Sequence, residues 1–212
     1  MAFDYSVMLD VASLPVLVVG GGQVATRKVQ TLWKAGAEIT VIAPEISHEI
    51  TALSTVHCEH RTFSMKDIIH TNPFLVFAAT DDPYLNHEIA KFCKEQHILI
   101  NTITAPQDGN FSVQSKIERT DYAVSISTFG KGPGFSKALR EHLEDILDER
   151  MDMALRIYLD IRSWLQKTID DSDQRVRLLR MLDLDDILAF IDVGELDYDK
   201  DLEKVKKWLS CS

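Results

Sequence analysis

A glycine-rich turn near the start of the chain stands between a short apolar run and a segment of helical periodicity. The run Val16 to Val19 is continuously apolar, as is typical of a strand buried on both faces of a parallel sheet. Residues 20–25 then read G-x-G-x-x-A, and apolar residues recur every three or four positions as far as Ala35. Gly36 is a natural helix stop, and the β-rich segment Ile39 to Ala43 follows it. The pattern predicts a strand, a turn, a helix and a second strand in succession.

Such a turn is suited to a dinucleotide. Glycines let the backbone approach a pyrophosphate closely, and the free N–H groups and positive dipole end of the following helix attract phosphate. Glu45, just after the second strand, can accept hydrogen bonds from an adenosine ribose, and no Lys or Arg stands beside it to hold a 2′-phosphate. The sequence therefore predicts NAD as the cofactor, with Gly20, Gly21 and Gly22 at its phosphates. A glycine turn that binds no ligand is disfavoured, because the strand, the helix and the acid are all present.

Composition and charge limit the possible partners. The chain has 212 residues, of which 45% are hydrophobic and 26% are charged, and its net charge is −10. Nucleic-acid binding needs a basic field, which an acidic chain does not supply. The apolar runs are far shorter than the roughly 20 residues that span a bilayer. The N-terminal segment carries acids where a signal peptide carries bases. We expect a cytoplasmic protein without a nucleic-acid or membrane partner.

The cysteines do not form a recognisable site. Cys58, Cys93 and Cys211 are odd in number and widely spaced, so neither a disulfide framework nor a zinc site is expected. His57 and His60 lie in a predicted strand, where their side chains would point to opposite faces. We therefore predict inert thiols and no metal site.

Two further apolar runs end in polar residues. Buried strands are predicted over Phe74 to Ala79 and Ile98 to Ile103, and a short turn is predicted to begin at Asp67 to Ile69. Thr80 to Asp82 follow the first of these strands, at the edge where open α/β sheets bind their ligands. The acids can also cap a helix that begins at Pro83, and both roles can hold together.

The pattern changes after this point. Two β segments, Asn110 to Ile117 and Tyr122 to Thr128, lead through a Gly-Pro loop into a helix from about Phe135. The periodicity of Ser136 to Ile169 predicts one long helix or two abutting helices. A further helix capped by Asp171 to Asp173 is predicted to run through Leu182, and a last short one covers Tyr198 to Leu209. Basic residues gather around the loop, either as an anion site or as unrelated surface charges: Lys116, Arg119, Lys131, Lys137 and Arg140. We predict an all-helical C-terminal module.

Taken together, the motifs of residues 5–150 resemble a known family. They are Gly20-Gly21-Gly22-Gln23-Val24-Ala25 with Arg27-Lys28, Ala43-Pro44-Glu45, Phe77-Ala78-Ala79-Thr80-Asp81-Asp82 with Asn86, then Asn101, Phe111, Ile126-Ser127-Thr128-x-Gly130-x-x-Pro133 and Leu139-Arg140-x-x-Leu143-Glu144. In this order they look like the precorrin-2 dehydrogenase and sirohydrochlorin ferrochelatase family, the dehydrogenase module of siroheme synthases.

The resemblance implies an α/β protein in three parts. These are an NAD-binding Rossmann-like domain with a parallel sheet at 1–112, a small α/β dimerisation segment at 113–148 and an all-helical module at 149–212. The implied protein is a cytoplasmic homodimer that oxidises precorrin-2, a carboxylate-rich tetrapyrrole, to sirohydrochlorin with NAD, on the route to siroheme or cobalamin. The family pattern places at the NAD Gln23, Val24, Pro44, Glu45, Thr80 and Asn101. The expected substrate contacts are Thr128, Lys131, Lys137 and Arg140.

The sequence departs from the family pattern at two places in the expected active cleft. Gly130-Lys131-Gly132-Pro133 replaces a more usual Gly-x-Ser-Pro, with Thr128 where a serine is common, and the other departure follows the fifth strand. Members that perform both reactions carry Asn-Val-Val-Asp after the fifth strand, with the Asp as acid or base, whereas this chain has Thr104 in its place. A hydroxyl cannot exchange a proton near neutral pH as a carboxylate can. Hydride transfer depends first on positioning, whereas metal insertion needs groups that take the pyrrole protons. We therefore expect a dehydrogenase with little or no ferrochelatase activity, with His87 or Asp108 as the substitute base.

Two other classes of protein remain open. A sensor or carrier that binds NAD or a tetrapyrrole without catalysis is favoured by the missing carboxylate, and NAD-dependent turnover would exclude it. A Rossmann regulatory module that senses the NAD redox state would leave the basic cluster without a role.

Overall fold

The chain divides into two compact units, Met1–Val113 and Gln114–Ser212, in the computed structural model. The structure describes residues 5–191 and 196–210. The strands of the first unit are β1 (Pro15–Val19), β2 (Glu38–Ala43), β3 (His57–His60), β4 (Leu75–Ala78) and β5 (Leu99–Thr102). Within the described residues they form one parallel sheet in the order β3-β2-β1-β4-β5. From β1 the chain adds β2 and β3 on one side, and it then crosses back to add β4 and β5 on the other side. This change of side between β1 and β4 leaves a crevice at the carboxyl ends of these two strands.

Helices cover both faces of this sheet. They are α1 (Gln23–Lys34), α2 (His48–Thr51), α3 (Met65–Thr71) and α4 (Pro83–Glu95), and a short 3₁₀ turn, Pro106–Asp108, follows β5. Val16 and Val18 pack with Val29 of α1 on one face, whereas Leu17 packs with Ile89 of α4 on the other. These side chains are at most 2% exposed, which is why β1 reads as a continuous apolar run.

Capping residues fix the helices nearest to the crevice. Asp82 caps α4, because its carboxylate accepts hydrogen bonds from the N–H groups of Tyr84 (2.9 Å) and Leu85 (3.2 Å).

The prediction of a short turn at residues 67–69 is wrong, since these residues belong to α3. Ser64 and Asp67 form the capping box that starts this helix, and the Asp67 carboxylate accepts from the Ser64 N–H at 2.7 Å.

The second unit begins with an antiparallel hairpin and continues with helices. Its elements are β6 (Ser115–Glu118), β7 (Ala123–Ile126), α5 (Pro133–Ile146), α6 (Glu149–Thr168), α7 (Ser172–Met181), α8 (Leu184–Phe190) and α9 (Tyr198–Ser210). The periodic stretch before residue 169 is two helices, because Asp148 caps α6 by accepting from the Arg150 N–H at 2.9 Å. Helices α6 to α9 share a core around Ile157, Ile161 and Leu165. The flanked parallel sheet and the helical C-terminal part confirm the predicted α/β fold class.

Candidate dinucleotide-binding site

A cavity of about 610 Å³ opens at the carboxyl edge of the sheet. Its walls are the turn after β1, the segment after β2, the end of β4 and the residues Thr62 and Phe63 after β3. Of the residues predicted to hold NAD, it is lined by Gly20, Gly21, Gly22, Pro44, Glu45 and Thr80. Residues distant in sequence therefore meet at the crevice between β1 and β4, the topological switch point at which open α/β sheets bind their ligands.

The three glycines of the turn have different physical reasons to be glycine. Gly20 has a φ of +117°, and a Cβ on it would lie 2.2 Å from the carbonyl oxygen of Ala79. A Cβ on Gly21 would lie 2.2 Å from the carbonyl oxygen of Glu45, so this glycine allows the turn to contact the segment after β2. Gly22 has an ordinary φ of −82°, and a Cβ on it would meet no heavy atom within 4 Å. The space beside Gly22 is therefore open, and the absence of a side chain there would let a phosphate approach the backbone closely.

The start of α1 is prepared for an anion. Gln23 and Val24 open the helix, and the capping position, Gly22, supplies no side-chain bond to the first-turn N–H groups. Thr26 Oγ1 lies 2.8 Å from Ser47 Oγ, and the Ser47 N–H donates to the carbonyl oxygen of Gly21 at 3.0 Å. These bonds hold the glycine turn against the segment after β2. Sequence reasoning did not single out Thr26 and Ser47, because they are 21 positions apart and neither is unusual locally.

Glu45 is exposed at the rim of the cavity, in the position expected for a ribose-binding carboxylate. Arg61, which directly precedes the lining residue Thr62, does not offer a free cation for a 2′-phosphate. Its guanidinium donates to both carboxylate oxygens of Asp67, at 2.8 and 2.9 Å, and to Glu59 at 2.7 Å. The hydrogen bond from Arg61 lowers the pKa of Asp67, so this carboxylate remains charged at neutral pH. The local charges therefore favour NAD over NADP.

A buried amide joins the segments after β4 and β5. Asn86 is 1% exposed, and its side chain hydrogen-bonds to both Thr80 and Thr104. Thr80 lines the cavity, whereas Thr104 lies outside its described lining. Asn86 was part of the sequence pattern but not of the predicted site. The available signal was a polar residue on the otherwise apolar inner side of α4, where burial without a partner would be costly.

The remaining catalytic candidates form a pair. His87 Nδ1 lies 2.8 Å from Asp108 Oδ2, and the side chains are 56% and 27% exposed. The pair therefore joins α4 to the 3₁₀ turn after β5. Asn101 is directed elsewhere, since its side-chain amide donates to the carbonyl oxygen of Phe111 at 3.1 Å. Gln23, Val24 and Asn101 do not belong to the described lining of the cavity.

The predicted substrate contacts lie in the second unit, at and after the Gly-Pro loop. Thr128 Oγ1 lies 3.1 Å from Ser136 Oγ and accepts from the Gly132 N–H at 3.1 Å, so this hydroxyl holds the loop against the start of α5. Lys137 lies 3.7 Å from Glu141, and Arg140 lies 2.6 Å from Glu144. Pairs of this i,i+4 kind within one helix contribute only about 0.3–0.5 kcal/mol each. For Lys131, the described residues show no ion pair.

Other chemistry is limited in the described part of the chain. Burial raises the pKa of the Cys93 thiol to about 12 and also raises that of Cys58, while Cys211 lies outside the described residues. Among residues 5–191 and 196–210, no group of three or more His, Cys, Asp and Glu could hold a metal ion. In the same ranges, no helix has the length and apolarity to cross a membrane. A further cavity of about 570 Å³, beside Trp33 and Thr55, lies at the opposite edge of the sheet and lacks the glycine turn.

The glycine turn, the bare backbone at Gly22 and the crevice at the switch point define a dinucleotide-binding protein. Residues 7–115 match a protein family described as putative NAD(P)-binding, and the chain belongs to this family.

Individual relatives extend the similarity to at least 90% of the chain. The precorrin-2 dehydrogenase of Priestia megaterium is 29% identical over 205 residues, which are 95% of this chain and 100% of that protein. The siroheme synthase 1 of Pectobacterium atrosepticum is 30% identical over 192 residues, which are 90% of this chain but only 40% of that protein. The chain thus spans less than half of the siroheme synthase. The solved structure of SirC, a precorrin-2 dehydrogenase, matches with a TM-score of 0.76 and 28% identity, over 96% of this chain and 99% of SirC.

Proposed function

We propose that this chain is an NAD-dependent precorrin-2 dehydrogenase, which oxidises precorrin-2 to sirohydrochlorin on the route to siroheme or cobalamin. The observation that carries the proposal is the match to the Priestia megaterium precorrin-2 dehydrogenase, over 100% of that protein and 95% of this chain. The cavity at the carboxyl edge supports it, because its glycine turn, open helix start and Glu45 suit the phosphates and the adenosine of NAD.

Bound NAD⁺ supplies the hydride acceptor, so the overall change is one hydride to NAD⁺ and one proton released from the substrate. The task of the chain is to hold both molecules and to accept the proton. We assign the proton to His87, with Asp108 as its partner, because an ionised carboxylate can only accept and therefore fixes the imidazole proton on Nδ1. Nε2 is then left with a free lone pair.

Anaerobic incubation of the protein with enzymatically generated precorrin-2 and NAD tests the activity. We expect NADH and sirohydrochlorin to form in equal amounts, and their absence would refute the dehydrogenase. His87→Gln should then lower kcat by roughly 100-fold, in the range that general acid–base groups contribute, and Asp108→Asn by less. His57→Gln is the matched control, since His57 also pairs with a carboxylate but lies on β3 at 3.4 Å from Glu59. An unchanged kcat in His87→Gln would remove this residue from the proton step.

We propose further that ferrochelatase activity is small or absent, because Thr104 replaces the carboxylate that the bifunctional members of the family carry. Thr104→Asp tests this directly. The Asn86 side-chain amide already donates to position 104 and can donate equally to a carboxylate. Iron insertion into sirohydrochlorin should therefore appear or rise in Thr104→Asp and remain absent in Thr104→Asn. Substantial insertion by the unsubstituted protein would refute this part of the proposal.

Residues 113–148 are proposed to form a dimerisation segment in a cytoplasmic homodimer. Helix α5 supports this, since Ser136 alone among its described residues is buried while Phe135 and Ile146 are 67% and 50% exposed. Sedimentation of the protein and of Phe135→Glu tests it: we expect a dimer that dissociates in the variant, and a monomer at all concentrations would refute it.

The substrate carboxylates are assigned to Thr128, Lys131, Lys137 and Arg140, so charge reversal at Lys131 should raise the KM for precorrin-2 but not for NAD.

A sensor or carrier is the second candidate, and Thr104 is the observation that favours it. Tetrapyrrole and NAD binding without any NADH formation would support this candidate against the dehydrogenase.

A further inference from the structure

The Asn86 side chain uses its full hydrogen-bonding capacity. Its Oδ1 accepts from the Thr80 N–H at 3.2 Å and lies 2.8 Å from Thr80 Oγ1. Its Nδ2 donates to the Thr80 carbonyl oxygen at 2.9 Å and to Thr104 Oγ1 at 3.2 Å. The residue is 1% exposed, so its amide group depends on these bonds and not on water for its hydrogen-bond partners.

The backbone of Thr80 fixes which way the Asn86 amide faces. A backbone N–H can only donate, so the atom that it meets must be the amide oxygen. A backbone carbonyl can only accept, so the atom that it meets must be the amide nitrogen. A flipped amide would oppose donor to donor and acceptor to acceptor. The nitrogen therefore faces Thr104, and Thr104 Oγ1 is the acceptor in their bond.

The two threonines consequently differ in where their hydroxyl protons go. The Thr80 proton has acceptors inside the protein, Asn86 Oδ1 at 2.8 Å and the Asp82 carbonyl oxygen at 3.2 Å. The Thr104 hydroxyl accepts from Asn86 and, in the described part of the chain, shows no acceptor for its own proton. Thr104 is also exposed, beside the segment that lines the cavity. Its proton is therefore directed away from Asn86, towards solvent or a ligand.

We propose that Thr104 is a binding residue whose hydroxyl donates a hydrogen bond to an acceptor oxygen of the bound ligand, and that Asn86 is the positioning residue that enforces this polarity. The identity of the ligand rests on the proposed function, whereas the polarity rests on the geometry alone. The acceptor is a carbonyl or carboxylate oxygen, supplied either by the nicotinamide carboxamide or by a substrate carboxylate. A hydroxyl held in this way is a donor and not a base, so the proton of the reaction leaves through another group.

Thr104→Val and Thr104→Ser test the proposal, with Thr31→Val as an unrelated exposed control on α1. The measurements are the Kd for NAD by calorimetry, the KM and kcat for precorrin-2 and the melting temperature. Thr104→Val should weaken ligand binding about 3–10-fold if the acceptor is an uncharged carbonyl and about 10–100-fold if it is a carboxylate. The effect appears in the Kd for NAD in the first case and in the KM for precorrin-2 in the second. Thr104→Ser should restore the binding.

Thr80→Val is the matched internal comparison, because it removes a hydroxyl from the same amide. Its loss should appear in the melting temperature, since Asn86 Oδ1 then loses one of its partners, and Thr104→Val should lower the melting temperature to a similar extent, because Asn86 Nδ2 then loses its Thr104 acceptor. Asn86→Asp removes the donor to Thr104, so its effect on binding should not add to that of Thr104→Val in the double variant. Equal binding of both ligands by Thr104→Val would overturn the proposal. If the unsubstituted protein does not oxidise precorrin-2, the proposed function fails, yet the Kd for NAD still tests Thr104.

Discussion

Replacing Gly22 by alanine should separate folding from cofactor binding. The φ of −82° suits alanine, and the added Cβ meets nothing within 4 Å. Gly→Ala at a compatible site stabilises by about 0.4–1 kcal/mol through the unfolded chain, and alanine is a poorer helix cap than glycine by a similar amount. The free energy of unfolding should therefore change by less than about 1 kcal/mol.

Binding of NAD should respond much more strongly. A phosphate held by the first N–H groups of α1 must occupy the space that the new methyl group fills. Displacing it weakens charge-assisted hydrogen bonds of about 1.5–3 kcal/mol, which is roughly a 10–100-fold rise in the Kd. Calorimetric titration with NAD and urea unfolding measure the two quantities on the same sample.

Matched glycine variants control this experiment. Gly134→Ala also adds a Cβ that meets nothing within 4 Å, but on α5, and should leave the Kd for NAD unchanged. Gly20→Ala should destabilise the fold, because its Cβ would meet Ala79 and its φ is +117°. If Gly22→Ala folds and binds NAD with unchanged affinity, the pyrophosphate does not pass over this turn and the site is wrongly assigned.

Three further substitutions test other parts of the structure. Glu45→Ala should raise the Kd for NAD roughly 10–100-fold, through loss of bonds from the ribose to a carboxylate, measured by calorimetry. Asp67→Asn should destabilise by about 1.5–3 kcal/mol at pH 7. Because the folded pKa of Asp67 is lowered, urea unfolding should show this difference in full well above pH 3.8 and lose it as the pH falls through the folded pKa. Ile161→Ala should cost about 2–5 kcal/mol in the helical module, whereas Val176→Ala, at an exposed site, should cost little.

Local patterns in the sequence were sufficient for the elements around the cavity. The apolar run of β1, the glycines and the periodicity of α1 predicted a strand, a turn and a helix, and the structure has them at Pro15–Val19 and Gln23–Lys34. Short elements were harder. Helix α3 was taken for a turn and α8 was not predicted, although capping boxes at Ser64 with Asp67 and at Asp183 with Asp186 mark both starts. A helix of seven residues has too few turns for its periodicity to be evident.

The sequence by itself determined the fold class, the glycine turn and the acid that follows β2, because each depends on residues a few positions apart. Only the tertiary structure decided that Gly22 is the glycine with open space beside it for a ligand, since Gly20 packs against Ala79 and Gly21 against Glu45. It also decided that His87 meets Asp108 and that Asn86 directs Thr104. Hydrogen bonds between residues 18 and 21 positions apart depend on how strands are ordered in the sheet, and no local pattern encodes that order.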